Sequence, residues 1–252
     1  MLGAIIGDVV GSRYEFDNTS DFDFEMFSDK NDFTDDTICT VAVAEALLKG
    51  NDYRSSFLKW CRKYPYPTGG YGGSFARWVR SADPQPYNSF GNGSAMRVSP
   101  VAWFFNSLDK VQTEAEKTAL PTHNHPEGIK GAVATATAIF LARKKGKKEM
   151  LKTMRLYYSE WEEPVLGANP FYETCQGTMP IVFGIIEKAE SFEEAIRYAI
   201  AVGGDSDTIG AITGSIAEAI WGIPEHIREK VMEYLPDEMK LIIDDFYDKI
   251  AQ

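Results

Sequence analysis

A chain of 252 residues, 44% hydrophobic and 25% charged, has the balance of a globular protein and the length to bury a substantial core. No apolar run reaches the roughly 18 residues of a membrane span. The opening Met1–Asp8 lacks the positive start of a signal peptide, and the 3 cysteines form neither a disulfide framework nor a CxxC pattern, so a reducing cytoplasm is the expected compartment. The formal net charge of −11 argues against general nucleic-acid binding, while leaving room for one small anionic ligand met by metal ions, backbone N–H groups or a single arginine.

Helical signals dominate the chain. Gly7-Asp8-Val9-Val10-Gly11-Ser12-Arg13-Tyr14-Glu15 reads as a first helix whose glycines permit close packing and whose end carries Glu15. Thr34-Asp35-Asp36-Thr37 precedes a helix over Asp36–Lys49, apolar on most sides. Residues 65–100 are rich in loops, with Gly69-Gly70-Tyr71-Gly72-Gly73, a short helix around Phe75–Arg80, and Gly91-Asn92-Gly93-Ser94-Ala95-Met96-Arg97. Thr122-His123-Asn124-His125-Pro126-Glu127 leads into a second apolar helix, Gly128–Lys144. An amphipathic helix is expected from about Lys147 to Trp161. Ser191 and Glu194 form a capping box for the next one. Gly203-Gly204-Asp205-Ser206-Asp207-Thr208 opens a third apolar helix, Ser206–Trp221, and Pro224 and Pro236 stand where the last two helices begin. A helix without a wet face is buried, so the three apolar helices are the expected centre of a compact, all-α, single domain over residues 1–252.

The two acidic clusters carry the chemistry. Capping explains either one alone, since Asp and Thr are preferred at helix starts. Yet a cap needs one oxygen, and each cluster offers two carboxylates and hydroxyls. Carboxylates crowded at a buried helix start repel one another unless a cation lies among them, and an all-oxygen set selects Mg²⁺, Mn²⁺ or Ca²⁺ over zinc. Glu15 could face a site, but taken alone it reads rather as a solvated glutamate. The Gly91–Arg97 loop can present N–H groups to a phosphate or simply turn, with Arg97 pairing a phosphate or bracing the acidic centre. His123 and His125 lack the third ligand of a zinc site and fit capping, or a hydrogen bond to a substrate hydroxyl.

Taken in order, these motifs resemble the ADP-ribosylglycohydrolase family, over Gly3 to about Gly222. The resemblance implies an all-α fold around two Mg²⁺ ions (Mn²⁺ being possible) shared by Thr34, Asp35, Asp36, Asp205, Asp207 and Thr208. Glu15 matches an acidic residue lying over the metals. Gly91, Gly93, Ser94 and Met96 match the loop that holds the phosphates and distal ribose, with His123 nearby. Phe171, Tyr172 and Tyr71 are candidates to pack on the adenine. The implied activity is Mg²⁺-dependent cleavage of the bond between ADP-ribose and an acceptor, either a protein side chain or a small molecule, with Asp36 or Glu15 as general base. Expected partners are an ADP-ribosylated protein or small molecule and ADP-ribose; the chain is compatible with a monomer. Two other readings remain. Asp205-Ser206-Asp207-Thr208 superficially matches the DxDxT loop of a Mg²⁺ phosphohydrolase, which should follow a buried strand. The chain can also be an ADP-ribose-binding protein that has lost catalysis.

Overall fold

A computed structural model describes residues 1–161 and 163–252 and contains helices but no strand among them. In chain order these are α1 (Leu2–Gly11), α2 (Asp35–Lys49), α3 (Tyr53–Lys63), α4 (Gly73–Arg80), α5 (Gly93–Met96), α6 (Ser99–Phe104), α7 (Leu108–Ala119), α8 (Pro126–Met154), α9 (Cys175–Lys188), α10 (Phe192–Ala201), α11 (Ser206–Trp221), α12 (Glu225–Met232) and α13 (Asp237–Ala251). A 3-10 turn, Ser12–Tyr14, extends α1. A single isolated bridge pairs Gly91 with Thr174. No helix among the described residues is long and apolar enough to cross a membrane.

The centre is built on α1 and α11. Every residue of α1 is buried, as is α11 from Ser206 to Glu218. Gly3, Gly7 and Gly11 recur at one-turn spacing along α1 and face Gly214, Gly210 and Asp207 of α11, so the two helices run antiparallel. A Cβ on Gly7 would lie 1.9 Å from the Gly210 carbonyl oxygen, so the two backbones touch and no side chain separates them. This seam brings the end of α1, and Glu15 beyond it, to the start of α11. The N-terminus of α2 is tied to the same place. The fully buried Asp8 carboxylate of α1 accepts hydrogen bonds from the N–H and hydroxyl groups of both Thr34 and Thr37.

Most expected helices form near their expected limits. Ser191 caps α10 by accepting from Glu194 N–H, while the Glu194 carboxylate reaches back to Glu190 N–H, one residue before the cap. Pro224 and Pro236 occupy the cap positions of α12 and α13. The stretch from Pro126 to Met154 is two helical pieces meeting at Gly146, whose φ of 80° and ψ of 171° break the helix. The second piece stops at Met154, short of the expected Trp161. The N–H groups of Tyr157 and Tyr158 fold back on Met154 O, and Trp161 turns in to donate to Glu187. Helices α3, α7 and α9 go unassigned in the sequence reading, although Asp52, Ser107 and Thr174 cap them and Pro180 is accommodated inside α9.

Candidate active site

Three chain segments deliver carboxylates to one point. Glu15 arrives from the turn after α1, Asp35 and Asp36 from the first turn of α2, and Asp205 and Asp207 from the start of α11. Glu15, Asp205 and Asp207 each place a carboxylate oxygen within 4.8 Å of the others. Thr208 Oγ1 donates to Asp36 Oδ2 at 3.3 Å, joining the α2 and α11 termini, and Asn92 Nδ2 donates to Asp205 Oδ2 at 2.7 Å. Glu15 Oε2 and Asp36 Oδ1 are buried with no hydrogen-bond partner.

Such a gathering is electrostatically unfavourable by itself. Burial first, then the charges of their neighbours, pushes Asp35, Asp36 and Asp207 well above the usual carboxylate range. Burial also raises Asp205. Glu15 is pushed up to about 7 by burial and by the charges of Asp205, Asp8 and Glu173. Asp8 is held lower, at about 6, because the Thr37 and Thr34 hydrogen bonds offset its burial. Orphaned buried oxygens and clustered carboxylates are the environment of a hard divalent cation, which satisfies the oxygens and neutralises the repulsion. The residues present therefore fit Mg²⁺ or Mn²⁺.

The acidic centre floors a cavity of about 450 Å³, within the usual size of small-molecule sites. Ten of the residues singled out from the sequence line it: Glu15, Asp35, Asp36, Asp205, Asp207, Thr208, Gly91, Gly93, Met96 and His123. Two lie behind the wall. Thr34 caps α2, accepting from Asp36 N–H and donating to Asp8, and Ser94 donates its hydroxyl to Gly128 O at 2.6 Å. Of the three aromatic candidates, Tyr71 and Phe171 line the cavity, while Tyr172 packs against Gly177.

His123 is 5% exposed, and its protonation can be assigned from its partners. Arg97 donates to Thr122 Oγ1 at 2.8 Å, so the Thr122 hydroxyl hydrogen is free to donate to His123 Nδ1, 2.7 Å away. Nε2 then carries the proton and points toward Gly91 and Gly93. Burial, with the nearby Arg97 charge, pushes the imidazole well below its ordinary range, so it is a neutral donor. His125 is the N-cap of α8 and accepts from Glu127 N–H. Arg97 makes no ion pair with the acidic centre. It is fully buried, donates to Thr118 O and Thr122, lies 4.2 Å over the Phe57 ring and leaves Nε without a partner.

Several lining residues besides Tyr71 were not among the sequence candidates. Gly69 to Phe75 form one wall, and Gly72 supplies no side-chain cap to α4, so the first-turn N–H groups of that helix stand at the cavity. Phe16 and Glu173 stand at the rim. The glycine run was the available signal for the wall; nothing in the sequence marked the rim pair.

A helical core, an acidic centre at two helix starts and glycine-rich walls describe a ligand pocket whose carboxylates could hold a metal ion. The ADP-ribosylglycohydrolase family profile matches residues 1–252, and the chain belongs to that family. It is 26% identical over 302 residues to the ADP-ribosylhydrolase ARH3 of Danio rerio, covering 88% of this chain and 82% of the relative. It is 24% identical over 260 residues to the ADP-ribosyl-[dinitrogen reductase] glycohydrolase of Rhodospirillum rubrum, covering 89% of this chain and 85% of the relative. A solved structure of an ADP-ribosylglycohydrolase-related protein complex superposes with a TM-score of 0.73 at 23% identity, covering 99% of this chain and 95% of that one.

Proposed function

We propose that this single domain, residues 1–252, hydrolyses the glycosidic bond between ADP-ribose and an acceptor, a protein side chain or small molecule, with two Mg²⁺ ions at the acidic centre. The observation that carries this reading is the convergence of Glu15, Asp36, Asp205 and Asp207 on a cavity that the glycine-rich segments Gly69–Gly73 and Gly91–Gly93 also line. Asp35, Asp36, Asp205, Asp207 and Thr208 would hold the ions, with Thr34 fixing the α2 terminus. Bound there, Mg²⁺ would supply positive charge to the ribose hydroxyls and make a nearby water easier to deprotonate.

The remaining chemistry belongs to the side chains. The first turn of α4 and the Gly93 N–H accept the phosphates, as helix starts do, while the Gly91 and Asn92 N–H groups are taken by Ser89 Oγ and Glu173 O. His123 donates Nε2–H to a phosphate or distal ribose oxygen. The ribose C1″ bond to the acceptor breaks through a positively charged sugar, and a water oxygen joins C1″. Glu15 accepts one proton of that water, and the other hydrogen remains on the new hydroxyl; the departing acceptor takes a proton in return. Three free buried cysteines accord with a cytoplasmic setting.

The phosphohydrolase reading has less support. Its DxDxT loop should follow a strand, whereas Asp205 follows helix α10 and two glycines with φ of 81° and 88°. Calorimetric titration of ADP-ribose with Mg²⁺, then with EDTA, tests the proposal, together with a substrate panel. Mg²⁺-dependent binding and release of free ADP-ribose are expected. Release of inorganic phosphate instead would install the phosphohydrolase, and tight binding without turnover the inactive binder.

A further inference from the structure

Among the described residues, a second cavity of about 720 Å³ shares no lining residue with the first. It opens where three helix junctions meet. Helix α2 ends at Gly50, left-handed at φ 67°, and Asp52 caps α3 just beyond it. The end of α6 supplies Phe104 and Phe105, and the end of α7 supplies Leu120 and Pro121. Since α2 carries the acidic centre on its first turn and this cavity on its last, the two lie roughly 15 Å apart along that helix. Leu47, the two phenylalanines, Leu120 and Pro121 make the lining mostly apolar, and the size is that of a small-molecule site. Phe104 and Phe105 pack edge to face with centroids 5.2 Å apart, which forms one aromatic wall.

A few polar groups converge on it. Glu114 of α7 is buried and accepts from the Tyr53 hydroxyl at 3.0 Å and from two ammonium groups, Lys110 Nζ at 3.0 Å and Lys117 Nζ at 2.8 Å, both on Oε1. Burial pushes this carboxyl up, but the three donors outweigh it and hold it below its ordinary range, so it stays ionised. One negative charge therefore faces two positive ones, and the ammonium groups repel each other across a single oxygen. The other charges at the cavity are matched: Arg54 pairs with Asp83, and Asp52 is held at the α3 start by the Ser55 N–H and hydroxyl. Lys110 Nζ also lies 5.4 Å from the Phe105 centroid, so the surplus charge stands beside the aromatic wall. We infer that this cavity is a second ligand site, for a small aromatic carboxylate whose ring packs on Phe104 and Phe105 and whose head lies between Lys110 and Lys117. The surplus is a single charge, which matches a carboxylate better than a dianionic phosphate. In a chain of net charge −11 an anion needs such a local surplus to bind at all. The site does not depend on the hydrolase reading above.

The test is calorimetric titration of naphthoate, and of its neutral analogue naphthalenemethanol, into the full chain. It is run in EDTA, so that no metal at the acidic centre can take the carboxylate. Lys110→Met and Lys117→Met keep the apolar stems, and each leaves Glu114 one lysine and Tyr53; circular dichroism confirms their folding. Naphthoate should saturate the wild type at one per chain with a Kd below about 1 mM. Naphthalenemethanol should bind at least roughly threefold more weakly, and each variant should weaken naphthoate by a similar factor. No saturable binding of naphthoate, equal binding of the neutral analogue, or naphthoate binding that either variant leaves unchanged would each overturn the inference.

Discussion

Thr208 donates its hydroxyl to the Asp36 carboxylate at 3.3 Å, across 172 residues of sequence. That bond joins two helix starts, each already carrying an acidic pair, so the positive ends of two helix dipoles meet the same carboxylates. Two dipole ends are insufficient: Asp36, Asp35 and Asp207 remain well above the usual carboxylate range through burial and mutual charge. A cation held among them would complete the balance.

Mg²⁺ should therefore raise the melting temperature of the wild type, by roughly 5–10 °C at saturating concentration. Asp36→Asn and Asp207→Asn should lose that rise, and turnover, while keeping the helical circular-dichroism signal. In EDTA both variants should melt slightly above the wild type, since each removes one repelling buried charge. Thermal melts with and without EDTA decide it; a wild type indifferent to Mg²⁺ would end the metal proposal.

Much of this centre was legible in the sequence, because Thr34-Asp35-Asp36 and Asp205-Ser206-Asp207-Thr208 each sit at the start of an apolar helix and announce both their position and their chemistry. What was not legible depends on tertiary contacts. Asp8 lies in an otherwise apolar run, and only the arrival of Thr34 and Thr37 shows it as the tie between α1 and α2. Ser94 sits within the glycine loop, but its hydroxyl is taken by Gly128 O behind the wall. The stacking of Phe16 on Phe171 joins loops far apart in the chain and carries no pattern, although Phe171 alone was a candidate for the adenine.

Metal affinity should depend on pH in a defined direction. Without metal, burial and neighbouring charges lift Glu15 to about 7, so it holds its proton at mildly acidic pH. A cation needs the carboxylates ionised. Mg²⁺ affinity should therefore strengthen as pH rises from about 6 to about 8, with net proton release on binding. Calorimetry in buffers of different ionisation enthalpy measures the released protons; zero release would contradict the raised carboxylates.

The sign reverses at Glu45, away from the site. Its buried carboxylate accepts from Lys49, Lys59 and Trp60 Nε1, which outweigh the upward push of burial and bring it down to about 2. A depressed carboxylate contributes stability above its unfolded pKa and loses it as pH falls through the folded one. Glu45→Gln should cost on the order of 2–3 kcal/mol at neutral pH. That difference from wild type should shrink as pH falls from about 4.5 toward about 2. Urea unfolding at several pH values reads it directly.

At His123 the expectation is a missing titration. The ring is buried and held neutral, and a Thr122 hydroxyl that donates to Nδ1 would leave the proton on Nε2, so nitrogen-detected NMR should show that one tautomer across neutral and mildly acidic pH. His123→Ala should weaken ADP-ribose binding by roughly tenfold, the value of one hydrogen bond. An inflection in the ring shifts near the ordinary histidine pKa would refute the assignment.

Gly7→Ala tests the helix seam. The new Cβ has no space against the Gly210 carbonyl, so α1 must move off α11. A loss of about 3 kcal/mol or more in denaturant unfolding is expected. Weaker Mg²⁺ binding is expected as well, although Gly7 touches no candidate ligand. Wild-type stability in this variant would contradict the seam.

The same seam sets when the catalyst comes into being during synthesis. Glu15 and the α2 carboxylates leave the ribosome early, but their partners on α11 follow only after most of the chain has been made. A nascent or truncated chain ending before Gly203 would carry only part of the carboxylate cluster and no α11 to hold α1 in place. Contacts this distant in sequence form late and slowly. Activity thus waits until α11 has been made and has docked on α1.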